Sequence, residues 1–164
     1  MDIEKFIIKF VDFFDFEKNI IEREDGTPYL TRYYIFRKNK WWQPSIYIHC
    51  IHESDADLEL HCHPWAKSVS FILSGSYLEE RREEIDHPLI PSYAINKKIF
   101  SPGNINYIRS DDYHRLDLLT KKVWTLFISG PKTKDWYFWD RDTNEYTQWE
   151  EFEKKKRQML HATK

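Results

Sequence analysis

The sequence predicts a mainly β protein: a sandwich or barrel of short strands, preceded by an amphipathic helix and followed by a short charged one. Three observations carry this. Between residues 28 and 148, runs rich in β-branched and aromatic residues recur with turn residues between them. Ile3, Phe6, Ile7, Phe10 and Phe14 repeat at a helical period near the start. Residues 149–159 are charged and helix-friendly, with Lys154-Lys155-Lys156-Arg157 as a solvated face.

The N-terminal helical segment is expected over residues 1–24, capped by Asp2 and closed by the turn Glu24-Asp25-Gly26-Thr27-Pro28. Strands are expected at 29–37, 45–51, 58–63, 68–79, 105–109, 114–119, 123–129 and 136–139. A helical tail covers 149–164. Nothing in the chain marks an internal repeat or a linker, and 164 residues fit one domain with a proper core.

Composition narrows the function classes. A net charge of -2, with no long basic run before the tail, argues against nucleic-acid binding. No apolar run reaches membrane-spanning length, and the N-terminus lacks a cleavable signal pattern. Two cysteines, Cys50 and Cys62, are too few for a disulfide scaffold, so a reducing cytoplasm is the expected compartment. Whether the two pair is left open. Aromatics make up 17% of the chain, so large rings must fill much of the core.

One constellation points at chemistry. His61 and His63 stand one residue apart in Leu60-His61-Cys62-His63-Pro64-Trp65. In a strand they share a face, and Cys62 takes the other. With His114 from a neighbouring strand they make a facial three-nitrogen metal site. The plainer alternative is three histidines lining a barrel without metal. Glu59 has the parity of His61 and His63. It is a candidate fourth ligand or imidazole N–H acceptor, unless it stands in solvent at the strand mouth. Asp112 has the same readings beside His114. His49 lies between Tyr47 and Ile51 on its face and reads as a satisfied core residue, with a pocket role as the alternative. His52 and His87 fall in turn-rich context and are expected to be exposed. Ser68, Ser70 and Ile72 share a face suited to a cavity, while Val69, Phe71 and Leu73 suit an outer contact. Arg32, Tyr34, Arg109, Arg115 and Lys132 are candidate anion binders, each weighed against an ordinary salt bridge.

The spacing resembles the two motifs of the cupins. His61 and His63 are followed by four residues, Ser68, six residues and Gly75; Gly103 is followed by five residues, Arg109-Ser110-Asp111, two residues and His114. Three departures stand out. Asp55 falls at the opening glycine of the first motif, Ser68 at its glutamate ligand, and Arg109 and Asp111 at the proline and glycine of the second. Asp tolerates a left-handed turn, so Asp111, and by the same argument Asp55, is expected to stand in for glycine. Pro28-Tyr29-Leu30-Thr31-Arg32, Ser70-Phe71-Ile72-Leu73-Ser74-Gly75 and Trp124-Thr125-Leu126-Phe127-Ile128-Ser129-Gly130-Pro131-Lys132 also resemble single-domain cupins of bacteria and phages, over about residues 28–150.

The resemblance implies a double-stranded β-helix, the jelly-roll barrel of the cupins, closed at residues 28–148. With serine at 68, it implies a first shell of His61, His63 and His114. That set is similar to the three-histidine iron site of thiol dioxygenases, although Ser68 departs from the cysteine that some of them carry. A divalent ion is expected, Fe(II) first, with zinc, nickel or manganese as alternatives. A small anionic substrate and a homodimer are expected partners, and Tyr77 and Arg115 the catalytic side chains. Two other functions remain open. One is a metal-free sugar or sugar-nucleotide isomerase or epimerase, with His63 or His114 as base and Tyr77 as acid. The other is a non-catalytic ligand-binding or assembly module.

Overall fold

The computed structural model describes residues 2–37, 43–85 and 92–162. In chain order its elements are α1 (Ile3–Phe13), β1 (Lys18–Glu22), β2 (Pro28–Phe36), β3 (Ser45–Ile51), β4 (Leu60–His61), β5 (Lys67–Ser74), β6 (Tyr77–Ile85), β7 (Ser92–Phe100), β8 (Ile105–Arg109), β9 (His114–Leu118), β10 (Val123–Ser129), β11 (Tyr137–Trp139), β12 (Tyr146–Gln148) and α2 (Trp149–Ala162). The strands form two six-stranded antiparallel sheets, ordered β1-β2-β3-β10-β5-β8 and β12-β11-β4-β9-β6-β7. From β3 onward the chain passes repeatedly between the sheets, which is the double-stranded β-helix the motifs imply.

Helix α1 forms because its apolar residues fall on one stripe and Asp2 caps it, accepting from the Lys5 backbone N–H at 3.4 Å. Ile7 and Val11 pack on Ile48, Cys50 and Trp124, the outer face of the first sheet. Burying each contributes about 1.5–3 kcal/mol. The helix is shorter than expected: Asp15 turns left-handed at φ 47°, and residues 18–22 are the edge strand β1 rather than helix. The β region therefore starts at Lys18, ten residues before the expected boundary.

The expected strand at 68–79 is two strands, β5 and β6, broken at Gly75. Its φ is +77°, and a Cβ there would lie 2.1 Å from the Lys122 carbonyl oxygen. The expected strand at 58–63 is paired only at Leu60 and His61. Three strands carry too weak a pattern to be found from sequence. β1 and β7 are exposed sheet edges, and β12 is three residues long. His87 lies outside the described residues. Cys50 lies in β3 and Cys62 just past the end of β4, in separate clusters; both are buried free thiols.

Between the sheets, Ile51, Ile72, Tyr77, Phe100 and Val123 form one cluster, and Tyr47, Ile108 and Phe127 another. Of these, Ile51, Tyr77, Ile108 and Phe127 line a cavity of about 650 Å³ between the sheets. No helix among the described residues is long and apolar enough to cross a membrane.

Candidate metal centre

His61 and His114 face each other across the β4–β9 pair, and His63 follows two residues on. One ring nitrogen from each of the three histidines lies within 4.8 Å of the others. His63 Nε2 and His114 Nε2 are 2.9 Å apart. The histidine pair and its distant third therefore meet inside the sandwich, although β4 ends at His61 and His63 lies just beyond it.

One carboxylate orients a ring from behind, and a second stands near another. His114 Nδ1 lies 2.6 Å from Glu79 Oε1, and His61 Nδ1 lies 3.8 Å from Asp55 Oδ2. An Nδ1–H held by Glu79 leaves the His114 Nε2 lone pair aimed at the centre. Glu79 Oε1 also accepts from Asn106 Nδ2 at 2.8 Å and Arg81 Nη2 at 2.9 Å. Burial pushes the Glu79 carboxyl up, but the His114 hydrogen bond and the charges of His114 and Arg81 outweigh it and hold the group at about 2. Asp55 accepts from the Leu116 backbone N–H at 2.7 Å and from the Tyr29 hydroxyl.

Burial holds His61 down at about 4, against a partial lift from Asp55. Burial also holds His63 well below the ordinary histidine range, reinforced by the neighbouring rings. At neutral pH these two imidazoles are uncharged lone-pair donors. Three imidazoles, two of them backed by carboxylates, fit a divalent transition-metal ion. His63 stacks on Trp65 with centroids 5.5 Å apart, and Trp136 stands 5.9 Å from His61.

The other expected site residues divide. Arg32, His49, Ser70 and Tyr77 line the cavity with the three histidines. His49 is buried and accepts from Arg32 Nε at 3.1 Å, as a satisfied residue does, and it is also a wall of the cavity, stacked on Phe127 at 4.9 Å. Glu59 also lines the cavity but is no part of the ligand cluster; Asp55 supplies the carboxylate beside His61. Ser68 is buried with an unpartnered hydroxyl and does not reach the cavity. His52 is half-buried and paired with Thr31 at 2.8 Å, where exposure was expected.

Three expected site residues turn away. Arg115 follows His114 in the strand and so points to the opposite face, held by Asp117 at 2.8 Å and the Asp55 carbonyl at 3.4 Å. The Arg109 side chain is 75% exposed and reaches only Asp112. Asp112 accepts from the Arg109 backbone N–H at 2.8 Å and from Arg81 at 3.2 Å, so it closes the turn before β9 instead of touching a ligand. Asp111 and Asp55 are not left-handed; among the described residues only Asp15 and Asn144 have positive φ without being glycine. A side-chain cap at Asp112 shapes one turn, and Asp55 serves as an acceptor. Tyr34 packs on Tyr47, and Lys132 pairs with Asp135 at 3.1 Å.

Sequence reasoning missed Glu79, Asn106 and Thr125 as site groups. Glu79 was within reach, because it shares the parity of Tyr77. Asn106 and Thr125 carry no signal outside the assembled sheets.

The two antiparallel sheets make a β-sandwich with a helix at each end, and several solved structures are similar to it. Hydroxypropylphosphonic acid epoxidase from S. wedmorenis aligns at 12% identity over 69% of this chain and 55% of its own, with a TM-score of 0.46. KdgF from Halomonas sp. aligns at 11% identity over 73% of this chain and 91% of its own, with a TM-score of 0.49. Oxalate oxidase, in complex with the substrate analogue glycolate, aligns at 14% identity over 58% and 45%, with a TM-score of 0.44. This chain thus spans only 55% of the epoxidase. No protein-family model and no curated protein matches the sequence.

Proposed function

We propose that His61, His63 and His114 hold a divalent transition-metal ion, iron(II) in the first instance, and that the protein acts on a small molecule in the adjoining cavity. Zinc, nickel and manganese are the alternatives that imidazole also accepts. One observation carries the reading: three ring nitrogens converge within 4.8 Å while Glu79 and Asp55 stand behind two of the rings. When bound, such an ion supplies Lewis acidity or, as iron, redox chemistry. The chain's own groups do the rest. Glu79 keeps the His114 proton on Nδ1, Trp65 and Phe127 exclude water around His63, and the Tyr77 hydroxyl accepts from Asn106 Nδ2 at 3.1 Å, leaving its own proton to donate. Imidazole ligands bring no negative charge to offset that of the ion, which favours an anionic partner.

Elemental analysis of untagged protein tests this, with metal-induced thermal shifts alongside. One equivalent of a transition metal is expected, lost in His61→Ala and His114→Ala variants that still fold. No metal uptake and no shift would refute it.

The 2.9 Å contact between His63 and His114 is also a hydrogen-bond distance. It favours a second reading, metal-free acid–base catalysis on a sugar or sugar nucleotide. There the Glu79–His114 pair is the base and Tyr77 the acid, its phenol kept protonated chiefly by burial. Activity surviving chelation would select this reading.

A further inference from the structure

The cavity holds a second set of polar groups that the metal reading leaves unused. Register sets Arg32 of β2 opposite His49 of β3, and His49 opposite Thr125 of β10. The three side chains form one row across the inner face of three adjoining strands, and all three line the cavity. The next row, Tyr34, Tyr47, Phe127 and Ser70, is largely aromatic.

Three features of this row call for a ligand. Among the described residues no carboxylate lies within ion-pair distance of Arg32. Its Nε donates to His49 Nε2 at 3.1 Å, and its guanidinium lies 4.9 Å from the centroid of the Tyr47 ring. Thr125 is 1% exposed, yet its hydroxyl has no hydrogen-bond partner. A buried hydroxyl without a partner is costly, so it marks a place where a ligand atom or water belongs. His49, accepting through Nε2, carries its proton on Nδ1. The Phe127 ring, 4.9 Å from His49 and 6.4 Å from His63, stands between this row and the histidine cluster.

We propose that Arg32, with His49 and Thr125, forms a carboxylate-binding subsite that takes the anionic end of a small organic acid whose other end reaches His61, His63 and His114. The guanidinium fork matches a carboxylate in two-point geometry. The row offers a single fixed positive charge, which balances a monoanion; the cavity's other cations, Arg23 and Lys156, are already paired with Glu53 and Asp57, while Asp25, Glu59 and Glu153 add negative charge that repels a dianion. Only the position of the ligand's far end rests on the proposed metal site; the subsite itself does not.

The test is calorimetric titration of benzoate into chelator-treated full-length protein, with inorganic phosphate as competitor. Benzoate binds the chelator-treated wild type, because the subsite itself needs no metal. Binding weakens at least about tenfold in Arg32→Gln, the loss expected for a charge-assisted hydrogen bond, and several-fold in Thr125→Val. Phosphate does not displace it. The proposal is overturned if the wild type does not bind benzoate, if Arg32→Gln binds it unchanged, or if phosphate competes at equal concentration. Should Arg32→Gln fail to fold, Thr125→Val decides alone, since it is isosteric and removes only an unpaired hydroxyl; unchanged benzoate affinity there also overturns the proposal. Loss of metal with benzoate binding intact would sink the metal reading and leave the subsite standing.

Discussion

Replacing Glu79 with glutamine keeps the shape of the site and removes one buried charge. Three hydrogen bonds converge on Glu79 Oε1, from His114 at 2.6 Å, Asn106 at 2.8 Å and Arg81 at 2.9 Å. The amide keeps an oxygen for all three, and Arg81 keeps Asp112 at 3.2 Å. The bonds from His114 and Asn106 lose their anionic acceptor and the one from Arg81 loses its ion pair, a loss of about 1 kcal/mol each and about 3 kcal/mol together. Titration leads to the same figure. The carboxyl is held at about 2 against an ordinary 4.5, a difference of roughly 3 kcal/mol at neutral pH. Because the folded value lies below the unfolded one, this stabilisation is complete above about pH 4.5 and drains away as pH falls toward 2. About half is gone by pH 3.5. Urea unfolding of metal-free protein, followed by tryptophan fluorescence, measures it. The gap between wild type and Glu79→Gln should be about 3 kcal/mol at pH 7 and about half that at pH 3.5. Metal affinity should fall about 10- to 100-fold, since the His114 ring loses its anionic acceptor. A gap under about 1 kcal/mol at pH 7, or one that does not change with pH, would refute the reasoning.

The buried histidines make a second pH prediction. His61 is held at about 4, and His63 and His49 well below their ordinary value, chiefly by burial. The unfolded chain takes up protons below about pH 6.5 that the folded metal-free protein refuses. Stability should therefore fall as pH drops from 6.5 toward 4, by up to about 1.4 kcal/mol per pH unit for each ring. A flat urea-stability profile between pH 7 and pH 5 would contradict this. Gly75→Ala places a Cβ 2.1 Å from the Lys122 carbonyl oxygen at φ +77°; it should cost at least about 2 kcal/mol in chemical denaturation. Phe152 of α2 stacks on Phe138 with centroids 4.0 Å apart, and Lys156 bonds Asp57 at 2.7 Å. Phe152→Ala should release α2 to limited proteolysis while the rest of the chain stays protected.

The strand alternation around His61 and His63, the spacing to His114 and the helical stripe of α1 are local patterns, so the sequence alone determined the fold class, the histidine triad and both terminal helices. Even the inward face of Ser70 and Ile72 follows from counting residues in twos. Partners of those residues do not follow from counting. Glu79 meets His114 only because β6 pairs with β9, and Arg32, His49 and Thr125 share a row only because β2, β3 and β10 lie side by side in one register. Arg115 shows the converse: its residue type and its neighbour argued for the site, while the one-residue step of the pleat put it on the other face. Pairing between distant strands is set by how the two sheets bury their apolar faces together, a property of the whole chain, and it alone decided which charges stand behind the histidines and which groups line the cavity.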